Sequence, residues 1–419
     1  MIDLYQHQQK ALDLTSGHTR CAYYLDMGLG KTFVGSEKAF SFPNKIMVVC
    51  QHSKLQDWRD HFGQNYPCTP FDLTRPKQLE EFVDVIGKCV GVINYDLIFR
   101  RDVLKRLNGF TLMLDESSLI QNETTKRAKF ILSMNPQNVI LLSGTPTGGK
   151  YEKLWSQCRL LGWNISKELF WKQYVETEWV EDDGFWRQQV VGYKNVDRLK
   201  DKLAQHGAVF MTTEDAGIDL PARNMVPVKI ATPKAYRKFT KDQVITLEGR
   251  ELIGDTSLTR RLYQRQILGL YNSARYDAFA DMLDSTEDRL IVFYNFTEEM
   301  ERLKDLVELR ERPVSILNGA TKDLTAYDAC SNSVTFIQYQ AGAMGGNFQK
   351  ANKIIYFSLP EGWELWEQSQ KRIHRIGQDR PCFYYYMICP GTVEEDILAT
   401  LQLRKDYNDE LFRKYEKTA

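Results

Sequence analysis

Residues 21–32 read CAYYLDMGLGKT: an apolar run Cys21–Leu25, a turn with glycines at 28 and 30, then Lys31-Thr32 opening an amphipathic stretch. Strand, glycine turn and helix in that order give Gly-x-Gly-Lys-Thr a phosphate-binding meaning. Gly28 and Gly30, on either side of Leu29, let backbone N–H groups approach phosphate oxygens. Lys31 would contact the β- and γ-phosphates, and Thr32 would offer its hydroxyl to magnesium. Leu25 stands where the general G-x-x-x-x-G-K-[ST] pattern has its first glycine. Without the strand and helix around it, the pentapeptide would be an ordinary turn.

Outward from this loop the first third of the chain repeats one theme. Short apolar runs fall at Lys45–Cys50, Val90–Tyr95, Thr111–Leu114 and Val139–Leu142, each followed by a polar turn and an amphipathic segment. Continuous apolar runs are what a parallel sheet covered on both faces requires. The pattern returns at Leu290–Phe296, Val314–Leu317, Val334–Tyr339, Ile354–Phe357 and Cys382–Ile388. Two such blocks predict an α/β protein of two doubly wound parallel-sheet lobes with helical insertions between them. Lobe 1 is expected over 1–225, with a helical insertion from about 155. Lobe 2 is expected over 226–419, with a helical insertion at 232–285 and a closing helix at Val393–Tyr415. The boundary is expected near Pro221–Pro227, and Leu169–Trp179 and Ser257–Leu283 read as helical.

Three further clusters carry chemistry. TLMLDESS ends an apolar run in Asp115-Glu116, at the strand edge where ligands bind in open α/β sheets. Asp115 would hold magnesium through water, and Glu116 would orient and deprotonate an attacking water. LLSGTP, Leu141–Pro146, puts the hydroxyls of Ser143 and Thr145 at another strand end, where they either sense a γ-phosphate or cap a turn. QSQKRIHRIGQ, Gln368–Gln378, holds Arg372 and Arg375 three apart, on one face if the segment is helical. Two arginines aimed at a transferring phosphoryl group are worth about 10³–10⁵ in rate; the alternative is a solvated basic helix face.

Composition narrows the class. Hydrophobic content of 43% and charged content of 26% suit two ordinary cores, and a formal net charge of zero means that any nucleic-acid surface must be made by sorting charge. The eight cysteines form no C-x-x-C pair and read as reduced core residues, not zinc ligands. The N-terminus MIDLYQHQQK has no secretory pattern, and no apolar run reaches the length that crosses a bilayer. A cytoplasmic protein without a membrane partner is expected.

With these elements in order, nearly the whole chain, Leu4 to about Leu403, resembles superfamily 2 helicases, and within them the Swi/Snf family of DNA translocases. DMGLGKT is similar to that family's DEMGLGKT, DESS to its DEAH box, and LLSGTPTGGKYEKLW to its L-T-G-T-P-L-Q-N-N-x-x-E-L-W segment. RIHRIGQ is nearly the signature R-A-H-R-I-G-Q. LYQHQ resembles the adenine-reading element, with Gln8 matching. VVCQHSKLQDWRDHF resembles motif Ia, INYD motif Ib, IVFYNFTEEMERL motif IV, and AGAMGGNF motif V, with Gly345 and Asn347 matching. The resemblance implies two RecA-like lobes that share one ATP, with Mg2+, at their interface. It implies nucleotide contacts from Gln8, Gly345 and the loop, and coupling through Ser143, Thr145 and Gln368. It also implies nucleic-acid contacts from Gln51, His52, Asn94, Tyr95, Asn295 and Asn347. Departures are Ser118 in place of the box's histidine, and Thr212-Thr213-Glu214 where basic residues often precede the Leu-Pro segment. No bromodomain-like, chromodomain-like or zinc-binding appendage is evident, which suits a compact core in a prokaryotic or bacteriophage setting.

The expected function is a DNA-dependent ATPase that translocates on double-stranded DNA, for which a monomer suffices. Single-stranded DNA or RNA is the lesser expectation. The alternative is a strand-separating helicase acting on forked or branched DNA or RNA. No wedge stands out for it; the aromatic-rich stretch of Trp179, Phe185 and Trp186 could supply one but reads more simply as core. A non-catalytic DNA-binding scaffold is the third reading, against which the intact Lys31, Asp115, Glu116, Arg372 and Arg375 speak. Arg260, Arg261, Arg265 and Arg275 would either extend the DNA track or form a solvated helix face.

Overall fold

The computed structural model describes residues 3–182, 185–342 and 346–412. They form two compact units. The first runs to Asp219 and takes the chain up again from Asp406; the second is Leu220–Lys405.

In unit 1 the strands are β1 (Arg20–Leu25), β2 (Ile46–Cys50), β3 (Phe71–Asp72), β4 (Val90–Asn94), β5 (Thr111–Asp115), β6 (Asn138–Ser143), β7 (Val175–Asp182), β8 (Phe185–Tyr193) and β9 (Ala208–Met211). Seven of them make one sheet in the order β3-β4-β2-β5-β6-β1-β9, parallel at every junction. Both faces are covered, which explains the unbroken apolar runs. Ala22, Tyr24, Met47 and Val49 enter one hydrophobic layer, while Cys21, Tyr23, Leu25, Ile46, Val48 and Cys50 enter the other. The order brings β5, β6 and β1 side by side, with Asp115 opposite Leu142 and Tyr24 opposite Ser143. The carboxyl ends of these three strands therefore open onto one edge.

Unit 2 holds β10 (Arg223–Lys229), β11 (Val244–Leu247), β12 (Arg250–Ile253), β13 (Leu290–Tyr294), β14 (Val314–Leu317), β15 (Lys322–Asp323), β16 (Val334–Gln338), β17 (Lys353–Tyr356) and β18 (Cys382–Ile388). Its main sheet has the order β10-β18-β17-β13-β16-β14-β15, parallel except for the last pair. The fold class expected from the sequence, two parallel-sheet α/β lobes, is the one found.

The insertions differ from expectation. Helix Lys167–Tyr174 stops where β7 begins, and β7 and β8 form a two-stranded antiparallel hairpin. Val175, Thr177, Val180, Val190 and Tyr193 are residues that strands favour, and their preference overrides the helical spacing read across Leu169–Trp179. Unit 2 likewise contains the hairpin β11–β12, while Ser257–Leu270 and Ser273–Asp284 are helices. The stretch expected as a boundary is an edge strand: β10 pairs with β18 from Arg223 to Lys229, and Pro227 is tolerated there because one side of the strand is unpaired. The units divide ahead of it, at Asp219/Leu220.

The C-terminal helix Val393–Phe412 does not belong to lobe 2 alone. Val393, Ile397 and Leu401 enter the core of unit 2, whereas Tyr407 packs edge-on to Tyr193 in unit 1, with ring centroids 4.7 Å apart. All eight cysteines are free, no acidic, histidine or cysteine group among the described residues is arranged to hold a metal, and no described helix is long and apolar enough to cross a membrane.

Candidate functional site

The turn after β1 is shaped by backbone that side chains resist. Gly28 and Gly30 have φ of 92° and 73°, in the left-handed region that glycine enters without steric cost. Gly30 caps helix Lys31–Ser41, and a Cβ there would lie 2.2 Å from Gln8 Nε2. Gln8 is buried against the loop: its amide donates to the Leu29 carbonyl (3.2 Å), as His7 Nε2 meets that same oxygen (3.1 Å). Lys31 Nζ donates to the carbonyls of Leu25 (2.9 Å) and Asp26 (3.2 Å), which holds the ammonium inside the loop. Thr32, half-buried, is in the first turn of the helix.

The Asp-Glu pair ends β5. Glu116 takes φ 54°, ψ 61°, a strained setting for a non-glycine residue and one that concentrates at functional positions. Asp115 Oδ2 accepts the indole N–H of Trp58 at 2.8 Å. Burial pushes the Asp115 carboxyl above the ordinary range, against the opposing pull of that hydrogen bond and of the Lys31 and Lys54 charges. Ser143 Oγ lies 3.4 Å from Glu116 Oε2 and accepts the Thr145 N–H at 3.1 Å. The Thr145 hydroxyl is buried with no partner among the described residues. Between them Gly144 passes so close to the loop that a Cβ would meet Lys31 Nζ at 3.3 Å. Loop, acid pair and Ser-Gly-Thr turn therefore converge in unit 1. Buried Gln157 joins their supports, accepting from Tyr24 OH (3.0 Å) and Ser117 Oγ (2.7 Å) and donating to the Pro146 carbonyl (2.7 Å). Ser118 is buried in the turn after the pair.

In unit 2 the helix carrying Gln368, itself half-buried, ends at Gln370, so Arg372 and Arg375 do not share a helix face as their spacing suggested. They lie in the turn that follows. There the Phe348 N–H donates to the Arg372 carbonyl at 3.0 Å. Both arginines instead meet one segment: Arg372 Nη1 donates to the Gly346 carbonyl (3.3 Å) and Arg375 Nη1 to Asn347 Oδ1. Burial lowers the Arg375 guanidinium from its ordinary value. Gln378, which sequence reading passed over, ties this turn to residues 349–351 through bonds to the Gln349, Ala351 and Ile373 carbonyls. Gly345 lies outside the described residues.

Of the residues expected to face nucleic acid, Gln51 is half-buried and His52 exposed, in the turn after β2. Asn94 and Tyr95 are corrected. Both are buried, and Tyr95 O–H donates to the Asp115 carbonyl at 2.9 Å, so no face of the ring is left for a strand. The Asn295 amide is engaged by Ser358 Oγ (2.8 Å) and the Leu359 carbonyl (2.9 Å), and Asn347 is exposed. Arg275 is withdrawn from any track: it is fully buried, with Nη2 2.7 Å from Glu394 Oε1. Arg261 and Arg265 both pair with Glu361. Trp58 lies inside the stretch that resembles motif Ia, but its partner Asp115, 57 residues away, is not legible from sequence.

A lysine-bearing glycine loop after β1 and an Asp-Glu pair ending β5, with only β6 between the two strands, define a P-loop α/β protein. Residues 11–206 match the SNF2-related domain family. Along its length the chain is similar to the SWI/SNF-related matrix-associated actin-dependent regulator of chromatin subfamily A-like protein 1 of Xenopus laevis (21% identity, 90% of this chain, 40% of that protein). It is also similar to the ISWI chromatin-remodeling complex ATPase ISW2 of Saccharomyces cerevisiae (22% identity, 91% of this chain, 38% of that protein). Among solved structures it is similar to the Sulfolobus solfataricus SWI2/SNF2 ATPase core in complex with dsDNA (20% identity, 97% of this chain, 92% of that chain, TM-score 0.45). The family match covers just under half of the chain, and the similarity to SWI/SNF-related proteins runs along most of it. The chain spans about two fifths of the length of these curated relatives.

Proposed function

We propose that this chain is an ATP hydrolase that uses Mg2+ and translocates on double-stranded DNA. One observation carries the reading: Lys31, the Asp115-Glu116 pair and the Ser143–Thr145 turn converge at the ends of three neighbouring strands. The residues fit a nucleotide and its metal. The loop glycines leave N–H groups free of Cβ obstruction, Lys31 is already held within the loop, and the Thr145 hydroxyl is buried without a partner. Thr32 and Asp115 would hold Mg2+, in part through water, and the bound ion would neutralise charge on the phosphates. Glu116 would take the proton of the attacking water. Gln8 would read the base, and Arg372 and Arg375 would bring charge to the γ-phosphate when the lobes close. Names such as chromatin-remodeling complex ATPase among the relatives support ATP and DNA as substrates.

Grip on backbone phosphates would weaken steeply with salt and depend little on base sequence. Both halves of the machinery lie in one chain, so a monomer suffices. The test is steady-state ATP hydrolysis with no nucleic acid, single-stranded DNA, duplex DNA and RNA, for wild type, Lys31→Ala and Arg375→Ala. Strong stimulation by duplex DNA, absent from both variants, is the expected result. Greater stimulation by single strands or RNA would overturn the choice of track.

A second reading, strand separation, draws on the β7–β8 hairpin, where Trp179 and Trp186 are each 65% exposed. The hairpin sequence carries Glu176, Glu178, Glu181, Asp182 and Asp183 against Arg187, a charge that opposes a phosphate backbone. Unwinding of a forked duplex would favour this reading over simple translocation.

A further inference from the structure

Asp115 has two carboxylate oxygens, and the fold commits one of them. Trp58, buried on helix Leu55–Asn65, donates its indole N–H to Oδ2 at 2.8 Å. An indole nitrogen only donates, so the contact has one direction and selects one oxygen. The ring lies beside Phe62, 5.9 Å between centroids, and is met edge-on by His61 at 5.8 Å. The carbonyl of the same residue is fixed by Tyr95 O–H, from the end of β4 two strands away, at 2.9 Å. A carboxylate's terminal torsion is broad and two-fold, so without such a donor its orientation is poorly specified.

We propose that Trp58 is the positioning residue of Asp115: by occupying Oδ2 it leaves Oδ1 as the oxygen presented to the Mg2+ of a bound nucleotide. This rests on reading Asp115 as the metal-side carboxylate. Partners in the outer shell of a metal typically govern 10–100-fold in its affinity, and a carboxylate acting through water falls at the lower end, about tenfold.

Trp58→Phe keeps a planar ring and removes the N–H. Phe62→Leu disturbs the same aromatic stack without touching Asp115, and serves as the packing control. Two titrations are made with Mg2+ on the full chain: binding of a fluorescent ADP analogue, and steady-state ATP hydrolysis. In Trp58→Phe both half-points are expected to rise about tenfold, with hydrolysis at saturating Mg2+ within about twofold of wild type. Phe62→Leu is expected to overlay wild type. If Trp58→Phe does not fold, 3-benzothienylalanine at position 58, which keeps the shape and lacks the N–H, carries the same expectation. Overlay of the Trp58 variant on wild type, or an equal shift in Phe62→Leu, would overturn the proposal while leaving the site's function standing. A wild-type chain that binds no nucleotide at any Mg2+ concentration would overturn the reading of the site, and the proposal with it.

Discussion

The two units share a doubly wound architecture but finish an inner strand in opposite ways. In unit 1, β1 runs into a glycine turn, and the N-terminus of helix Lys31–Ser41 has no acidic residue in its first turn. In unit 2, β13 runs into helix Thr297–Glu308, whose first turn carries Glu298 and Glu299. Glu299 folds back so that Oε2 accepts the N–H groups of Asn295 (3.0 Å) and Phe296 (3.2 Å) and the Ser358 hydroxyl (2.8 Å). A helix N-terminus attracts an anion whether it comes from a ligand or from the chain. Unit 1 keeps acidic side chains out of that turn; unit 2 fills the matching place with its own carboxylate.

The sharpest way to break this comparison is to remove the cation from each unit. Arg375→Ala is expected to lower ATP hydrolysis by about 10³–10⁵ while nucleotide binding persists. Lys31→Ala is expected to lose binding as well as turnover, by equilibrium binding of a labelled nucleotide. Equal loss of binding in both variants would contradict the division of labour.

Next in size is the ion pair inside unit 2. Arg275 is fully buried, bonded to Glu394 and to the Phe357 carbonyl (2.8 Å), and Glu394 also accepts the Cys389 N–H (2.8 Å). Breaking a buried pair strands a charge, so Glu394→Ala should destabilise unit 2 by about 3–5 kcal/mol. Urea unfolding followed by hydrogen exchange over 273–284 measures this, and a change below about 1 kcal/mol would refute it.

Glu299 gives a smaller effect with a pH signature. Glu299→Ala leaves three donors without their acceptor, about 1–3 kcal/mol. Burial raises the Glu299 carboxyl above the ordinary range. A group whose folded value is raised contributes most below its unfolded value and loses that contribution as pH rises through the folded one. Unit 2 should therefore lose stability from acid towards neutral pH, and Glu299→Gln should flatten that slope. Smallest of all, Trp179→Ser or Trp186→Ser, on an exposed hairpin, should move stability by no more than about 0.5 kcal/mol. Melting curves that shift further would mean that the hairpin is covered.

Fold class was readable because buried parallel strands need continuous apolar runs, and ten such runs match strands of the two sheets to within a residue or two. The loop was readable because its chemistry is local: glycine supplies positive φ, and lysine and threonine follow within the same turn. The acid pair and the Ser-Gly-Thr turn could be named from their places at strand ends. Their convergence needed the order β5-β6-β1, which no local pattern carries.

What tertiary structure alone decided concerns polar groups that find partners far along the chain. The resemblance to motif Ib puts Tyr95 against nucleic acid, yet it turns inward to Asp115. Arg275 reads as one of a basic row, yet pairs with Glu394, 119 residues away. Arg372 and Arg375 sit at helical spacing, yet the helix ends before them, and residues 346–348 meet the Arg372 carbonyl and both side chains. Periodicity reports which face is buried. It does not report which buried donor meets which acceptor, since that depends on the order in which strands assemble and not on any residue's neighbours in sequence.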